Sequence, residues 1–170
     1  MSKESSAGSL RWVIHATKYL GVKELRGPKT SPVIAGWLKV LKAWWADDET
    51  PWCGVFVGAV FHEMGMKIPP RYMQAKAWLK WGQEVPVCFG AVGIKSRVGG
   101  GHVTIIVGRT KEGMLVGLGG NQGDAVSYAT FDPRVFEGFR WPSEVELPLA
   151  VGQGSLPLVT VSKNAPVKES

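Results

Sequence analysis

Apolar positions recur along this chain in two rhythms. In the N-terminal half the spacing is three and four. Leu10, Val13, Ile14 and Thr17 fall on one side of a helix predicted from Leu10 to Leu20, with Gly21 as its stop. After the loop "ELRGPKTSP", Ser31 suits a helix cap and Pro32 the first helical position, and Val33, Ile34, Trp37, Leu38 and Leu41 form one stripe. The strongest stripe lies in "ETPWCGVFVGAVFHEMG", Glu49 to Gly65. There Cys53, Phe56, Val57, Val60, Phe61 and Met64 share one helical face. Thr50 reads as its N-cap, Pro51 as its first helical residue and Gly65 as a left-handed stop. A short fourth helix is expected from Gln74 to Trp81.

From Val85 the rhythm shortens. "VPVCFGAVGI", "HVTIIVG", "MLVGLGG", "AVSYATF" and "FEGFRW" are short β-branched or aromatic runs punctuated by glycine, the signature of strands and tight turns. Helices first and strands second predict an α+β fold, with N-terminal helices on a small antiparallel sheet of about five to six strands. Residues 1–147 are expected to form the folded domain. The segment 148–170 reads as an extension, partly loose, with one extra strand expected over Leu158 to Ser162.

Composition narrows the classes. With 170 residues, 45% of them hydrophobic and 20% charged, the chain suits one domain with a real core. No apolar run reaches the length of a membrane span, so stable membrane insertion is not expected. The N-terminus "MSKESSAGSLRW" has no apolar signal core, so synthesis in a cytoplasm is expected, with release by other means if the protein acts outside it. A net charge of +6 favours anionic partners. The basic residues are scattered, however, and no nucleic-acid motif is present, so no nucleic-acid partner is expected. The two cysteines and three histidines lack metal-ligand spacing; neither a metal nor another cofactor is expected.

Cys53 lies in the first turn of the third predicted helix, where partial positive charge and exposed N–H groups stabilise a thiolate. It also lies on an apolar stripe, and buried structural cysteines outnumber reactive ones, so the helix alone favours a core role. His102 shifts that balance. It opens the apolar strand "HVTIIVG" after three glycines, where an imidazole can face a helix N-terminus and exchange protons with a thiol. Gly101 beside it leaves room for a substrate chain. His62 falls on the opposite face of the cysteine helix, and His15 reads as structural or exposed. Asn121, after two glycines at the end of the next strand, can orient the imidazole, with Gln122 and Asp124 in reserve; Asn and Gly also fill ordinary turns. Trp12, Trp37, Trp44 and Trp78 are expected in the core. Trp52 and Trp45 are expected to line a groove, and Gln122 to border it.

A cysteine on a helix N-terminus, a histidine on a strand and a polar residue on the next strand is the papain-like order. The segments "DETPWCGVFVGAVFHEMG", "AKAWLKWG", "GGGHVTIIVG", "LGGNQGDAVS" and "EGFRWP" resemble phage and bacterial cell-wall hydrolases of the NlpC–CHAP superfamily. The resemblance runs from about Trp12 to Pro142; its most specific parts are the cysteine helix and the "GGNQ" turn. It implies a papain-like fold and a monomeric peptidoglycan hydrolase, an endopeptidase or an N-acetylmuramoyl-L-alanine amidase, working through Cys53, His102 and Asn121. It also implies a phage endolysin that reaches the wall after release from the host cytoplasm. Such proteins usually carry Gly-Asp before the first long strand, where this chain has Gly90-Ala91. A secreted bacterial toxin of the same chemistry, and a non-catalytic envelope-binding or scaffold module, remain the alternatives.

Overall fold

The computed structural model describes residues 11–25, 31–41, 52–97 and 100–161. Among the described residues three α-helices precede the sheet: α1 (11–17), α2 (Pro32–Val40) and α3 (Cys53–Glu63). A 3-10 segment, η1 (Ala75–Lys80), follows. The strands are β1 (Gln83–Glu84), β2 (Val92–Arg97), β3 (Gly100–Arg109), β4 (Leu115–Gly119), β5 (Ser127–Phe131) and β6 (Phe136–Trp141). They form one antiparallel sheet in the order β1-β6-β2-β3-β4-β5, so the α+β class and six strands follow the expectation.

Local chemistry explains the helix ends. Ser31 Oγ accepts the Ile34 N–H at 3.4 Å, Pro32 opens α2, and Gly65 closes the α3 unit with φ +76°. The expected Thr50 cap, Pro51, Trp44 and Trp45 lie outside the described residues, as do the last residues of the extension; α3 is described from Cys53. Its apolar face is wider than a stripe: every residue from Cys53 to Phe61 is buried. The helix is sandwiched, with the sheet on one side and α2 and the Tyr72 loop on the other. Gly54 and Gly58 let that loop approach, since a Cβ at Gly54 would collide with Tyr72 O.

Four expectations shift. On α1 the buried side is Trp12, Val13 and Ala16, while Ile14 is exposed, because Trp12 turns inward and donates its indole N–H to Gly90 O at 2.9 Å. The fourth helix is 3-10, with Ala77 N–H bonded to Gln74 O and Trp81 N–H to Trp78 O. The indoles of Trp78 and Trp81 pin it by donating to Tyr72 O and Lys67 O. The run from Val85 to Ile94 becomes a strand only at Val92. Gly90 turns the chain with φ +89°, and Ala91 is fully buried where the resembling proteins carry an acid. Leu158 makes an isolated parallel bridge to Arg109 rather than opening a strand, because Pro157 has no N–H to extend the ladder.

The sheet buries both faces. Val92 and Ile94 of β2, Val103 and Ile105 of β3, and Val116 and Leu118 of β4 alternate onto the helix side, in the large core with Trp12, Phe56, Phe61, Trp78 and Trp141. On the other face Ile106, Leu115 and Leu156 form a smaller core with Phe136 and Phe139. Leu156 comes from the extension, whose described part is bound into the fold. Gly152 N–H donates to Val87 O at 2.6 Å, Arg109 N–H to Pro157 O at 2.9 Å and Val159 N–H to Arg109 O at 2.8 Å. Among the described residues no helix is long and apolar enough to cross a membrane.

If the extension is part of the core, Leu156→Ala destabilises the protein by about 2–4 kcal/mol. Urea unfolding is expected to show a lower midpoint with an unchanged slope. An unchanged midpoint would make the extension a mere appendage.

Candidate active site

Cys53 is the first residue of α3. Trp52 occupies the cap position without a capping side chain, no acidic residue stands in the first turn, and the intrahelical ladder begins with Phe56 N–H on Trp52 O at 3.0 Å. The thiol is 3% exposed and belongs to the helix-side core. The other cysteine, Cys88, is buried too, and burial pushes its thiol up to about 12.

His102 is the third residue of β3 and is fully buried. It pairs across the ladder with Lys95, and strand alternation sends its ring to the face opposite Val103 and Ile105. There the ring centroid lies 5.8 Å from that of Phe131, and Lys95 Nζ stands 5.4 Å from the same phenyl. The imidazole Nε2 lies 3.0 Å from Gln122 Oε1. Thr104, two residues on and so on the same face, donates its hydroxyl to that same oxygen at 3.0 Å. The amide nitrogen of Gln122 donates to Gly117 O at 3.2 Å and Ser127 O at 2.6 Å, and Ser127 Oγ donates to Gln122 O at 2.7 Å.

This network determines the tautomer. Two backbone carbonyls face the Gln122 nitrogen, so its amide has one orientation and Oε1 is the atom toward His102. An amide oxygen only accepts. His102 Nε2 therefore carries the hydrogen, and the lone pair of the neutral ring sits on Nδ1, which is also buried. A base nitrogen is thus held in one orientation by a side chain that is itself held at both ends.

The glycines of "GLGGNQ" make the space. A Cβ at Gly117 would stand 2.5 Å from Thr104 Oγ1, and one at Gly119 would collide with Gln122 Oε1. A Cβ at Gly120 would stand 2.7 Å from both Phe56 Cβ and Trp52 Cζ3. One turn thereby holds the start of α3 through Gly120 and the imidazole through Gln122. The β3–β4 pairing ends at Ile105 and Leu118, so His102 stands beyond the ladder on that side.

Several expected positions change accordingly. The carbonyl at His102 Nε2 belongs to Gln122, expected to border the groove and held in reserve behind Asn121 for this orienting role. Asn121 is buried with φ +58°, the left-handed residue that turns the chain so that Gln122 points back over β4. Trp52 lines no groove: it is fully buried, 6.2 Å from the Trp37 ring, with its indole N–H 3.4 Å from Glu24 Oε1. The room at Gly101 is filled by Ala75 and Lys76 of η1, each 3.4 Å from a Cβ placed there. His62 is exposed and His15 bonds Glu63 at 3.0 Å, both away from His102. Cys53 belongs to the helix-side core, and strand alternation directs the His102 ring to the face opposite Val103 and Ile105. Thr104 and Ser127 were missed. The signal for Thr104 was available, as the one hydroxyl in an apolar strand at the alternate position from His102.

Among the described residues no three His, Cys, Asp or Glu side chains cluster to hold a metal ion. Comparison with protein families, curated proteins and solved structures gives no match.

Two measurements follow. In ¹⁵N-histidine spectra at pH above the imidazole titration, His102 is expected as the Nε2–H tautomer, and Gln122→Ala is expected to abolish that preference; an Nδ1–H ring in the native protein would overturn the network. Burial raises the thiol of Cys88 from 9.0 to about 12 and raises the hydroxyls of Tyr19 and Tyr72. A raised native value means that the neutral form is favoured by folding, so the Cys88 contribution is complete below about pH 9 and is lost as pH climbs toward 12. Urea midpoints are expected to fall over that window, and Cys88→Ala is expected to flatten the fall.

Proposed function

We propose that this chain is a cysteine hydrolase that cleaves an amide bond in bacterial peptidoglycan, with Cys53 as nucleophile, His102 as base and Gln122 as the group that orients the imidazole. The observation that supports this most is the His102–Gln122 bond. It leaves Nδ1 as the basic atom and is made by the turn that packs on the cysteine helix. Catalysis by this pair requires thiol and Nδ1 to meet around the end of β4, beyond the last β3–β4 pair.

In that mechanism Nδ1 takes the thiol proton while Sγ adds to the amide carbonyl. The oxyanion faces the helix start, where the Cys53 backbone N–H is the natural donor. The tetrahedral species collapses with cleavage of the C–N bond, and Nδ1–H returns the proton to the departing amine. Water, deprotonated by Nδ1, then adds to the thioester; the C–S bond breaks, an acid leaves and the thiol is restored. Gln122 keeps Nε2 protonated through both halves and accepts a stronger hydrogen bond from the imidazolium.

The basic surface suits an anionic envelope, and the sequence resemblance favours a phage lysin over a secreted toxin of the same chemistry. One observation favours a different class. Cys53 and His102 are both buried, as in a non-catalytic module whose helix packs a core cysteine. Purified cell walls separate the two. Cys53→Ser is expected to abolish clearing while leaving the unfolding free energy from urea titration within about 1 kcal/mol of the parent; undiminished clearing by Cys53→Ser ends the hydrolase proposal.

A further inference from the structure

A cleft of about 670 Å³ opens on the helix side of the sheet, between the loop 67–71, η1 and the segment that follows β6. Four cations line it, Lys67, Arg71, Lys76 and Lys80, against the single carboxylate of Glu144. That carboxylate is already engaged, since Glu144 Oε2 accepts the Lys67 N–H at 2.9 Å. The walls are preformed: Pro69 and Pro70 stiffen one side, and Trp81 donates its indole N–H to Lys67 O at 2.7 Å. The four cationic side chains are exposed, so each keeps its charge toward solvent at low cost. A rigid concave surface with concentrated positive charge recruits an anionic chain.

The position of Lys76 narrows the ligand. Its Cγ lies 3.4 Å from where a Cβ of Gly101 would stand, and Gly101 immediately precedes His102. One end of the cleft therefore abuts the helix side of β3, the side on which Cys53 lies, and Arg71 of its lining adjoins Tyr72, whose carbonyl meets the start of α3 at Gly54, so a chain lying in the cleft extends toward the thiol. A ligand continuous with the substrate fits this better than a separate polymer. We propose that the cleft is the subsite for an acidic peptide, binding carboxylates of the same peptidoglycan stem whose amide is cut. This rests on the hydrolase proposal for the identity of the substrate. Arg71 can engage a carboxylate in fork geometry, while the three lysines act as point charges along its path.

The test reads binding without turnover. Full-length Cys53→Ser protein is sedimented with purified sacculi free of phosphate polymers, beside the same protein carrying Lys76→Gln and Lys80→Gln. The double substitution is expected to weaken binding roughly five- to tenfold at low ionic strength, with the difference shrinking as salt rises. Sacculi whose carboxyls have been amidated are expected to bind the parent protein equally weakly, with no further loss for the double variant. Equal binding by parent and variant, full binding to amidated sacculi, or binding only to walls that bear phosphate polymers would each overturn the proposal. Should the double variant unfold, the comparison of native with amidated sacculi decides alone. Lysis by Cys53→Ser would end the hydrolase reading while leaving the charge effect measurable, so the two failures are distinguishable.

Discussion

A buried primary amide has two donors and an acceptor to satisfy, and the Gln122 amide does so within a few ångströms of a buried imidazole. Its nitrogen is spent on two backbone carbonyls and its oxygen on Thr104 and His102. An amide left unsatisfied at such a depth would cost about 1–3 kcal/mol. The neighbouring chain is therefore committed to this arrangement: β4 must carry glycine where the side chain lies over it, and β5 must present the Ser127 carbonyl. The tautomer of His102 follows from the same count of donors and acceptors.

The same turn ties the layers of the molecule together. Gly120 sits against Trp52 and Phe56, so α3 docks on the sheet at the point where β4 ends. From Cys53 to Phe61 α3 is buried all round, covered by the sheet, by α2 and by the Tyr72 loop. The second face of the sheet is closed by a smaller core to which Leu156 belongs. The described part of the segment after 147, as far as residue 161, is thus one of the layers, hydrogen-bonded to β3 through Arg109, and the tail expected to be loose lies outside the described residues.

Positive charge is organised at a different place from the thiol and imidazole. The cations of the cleft are spread over a loop and a 3-10 segment, so in sequence they look like scattered surface lysines. They converge because the indoles of Trp78 and Trp81 anchor η1 beside the loop 67–71. Aromatic anchoring thereby does two jobs in this region, filling the core and shaping a charged surface.

Much of the architecture was legible from residue spacing. The helical period around Cys53, the Ser31-Pro32 start of α2, the Gly65 stop and the runs that became β3 to β6 are local properties, set by backbone geometry and side chains a few positions apart. Cys53 and His102 could be singled out for the same reason. Which neighbour of a turn meets the imidazole was not a local matter. Asn121 and Gln122 are adjacent amides that look equivalent in sequence, and the left-handed backbone at Asn121 selected between them. Trp52 looked free to line a groove because its covering residue, Gly120, is distant in sequence, and Gly101 looked open because η1 is. The sequence by itself determined the elements and their apolar faces, since periodicity is a short-range property. Only the tertiary structure decided which side of β3 carries the imidazole, which amide holds it and where the cations gather, because each depends on close approach between segments that the chain keeps far apart.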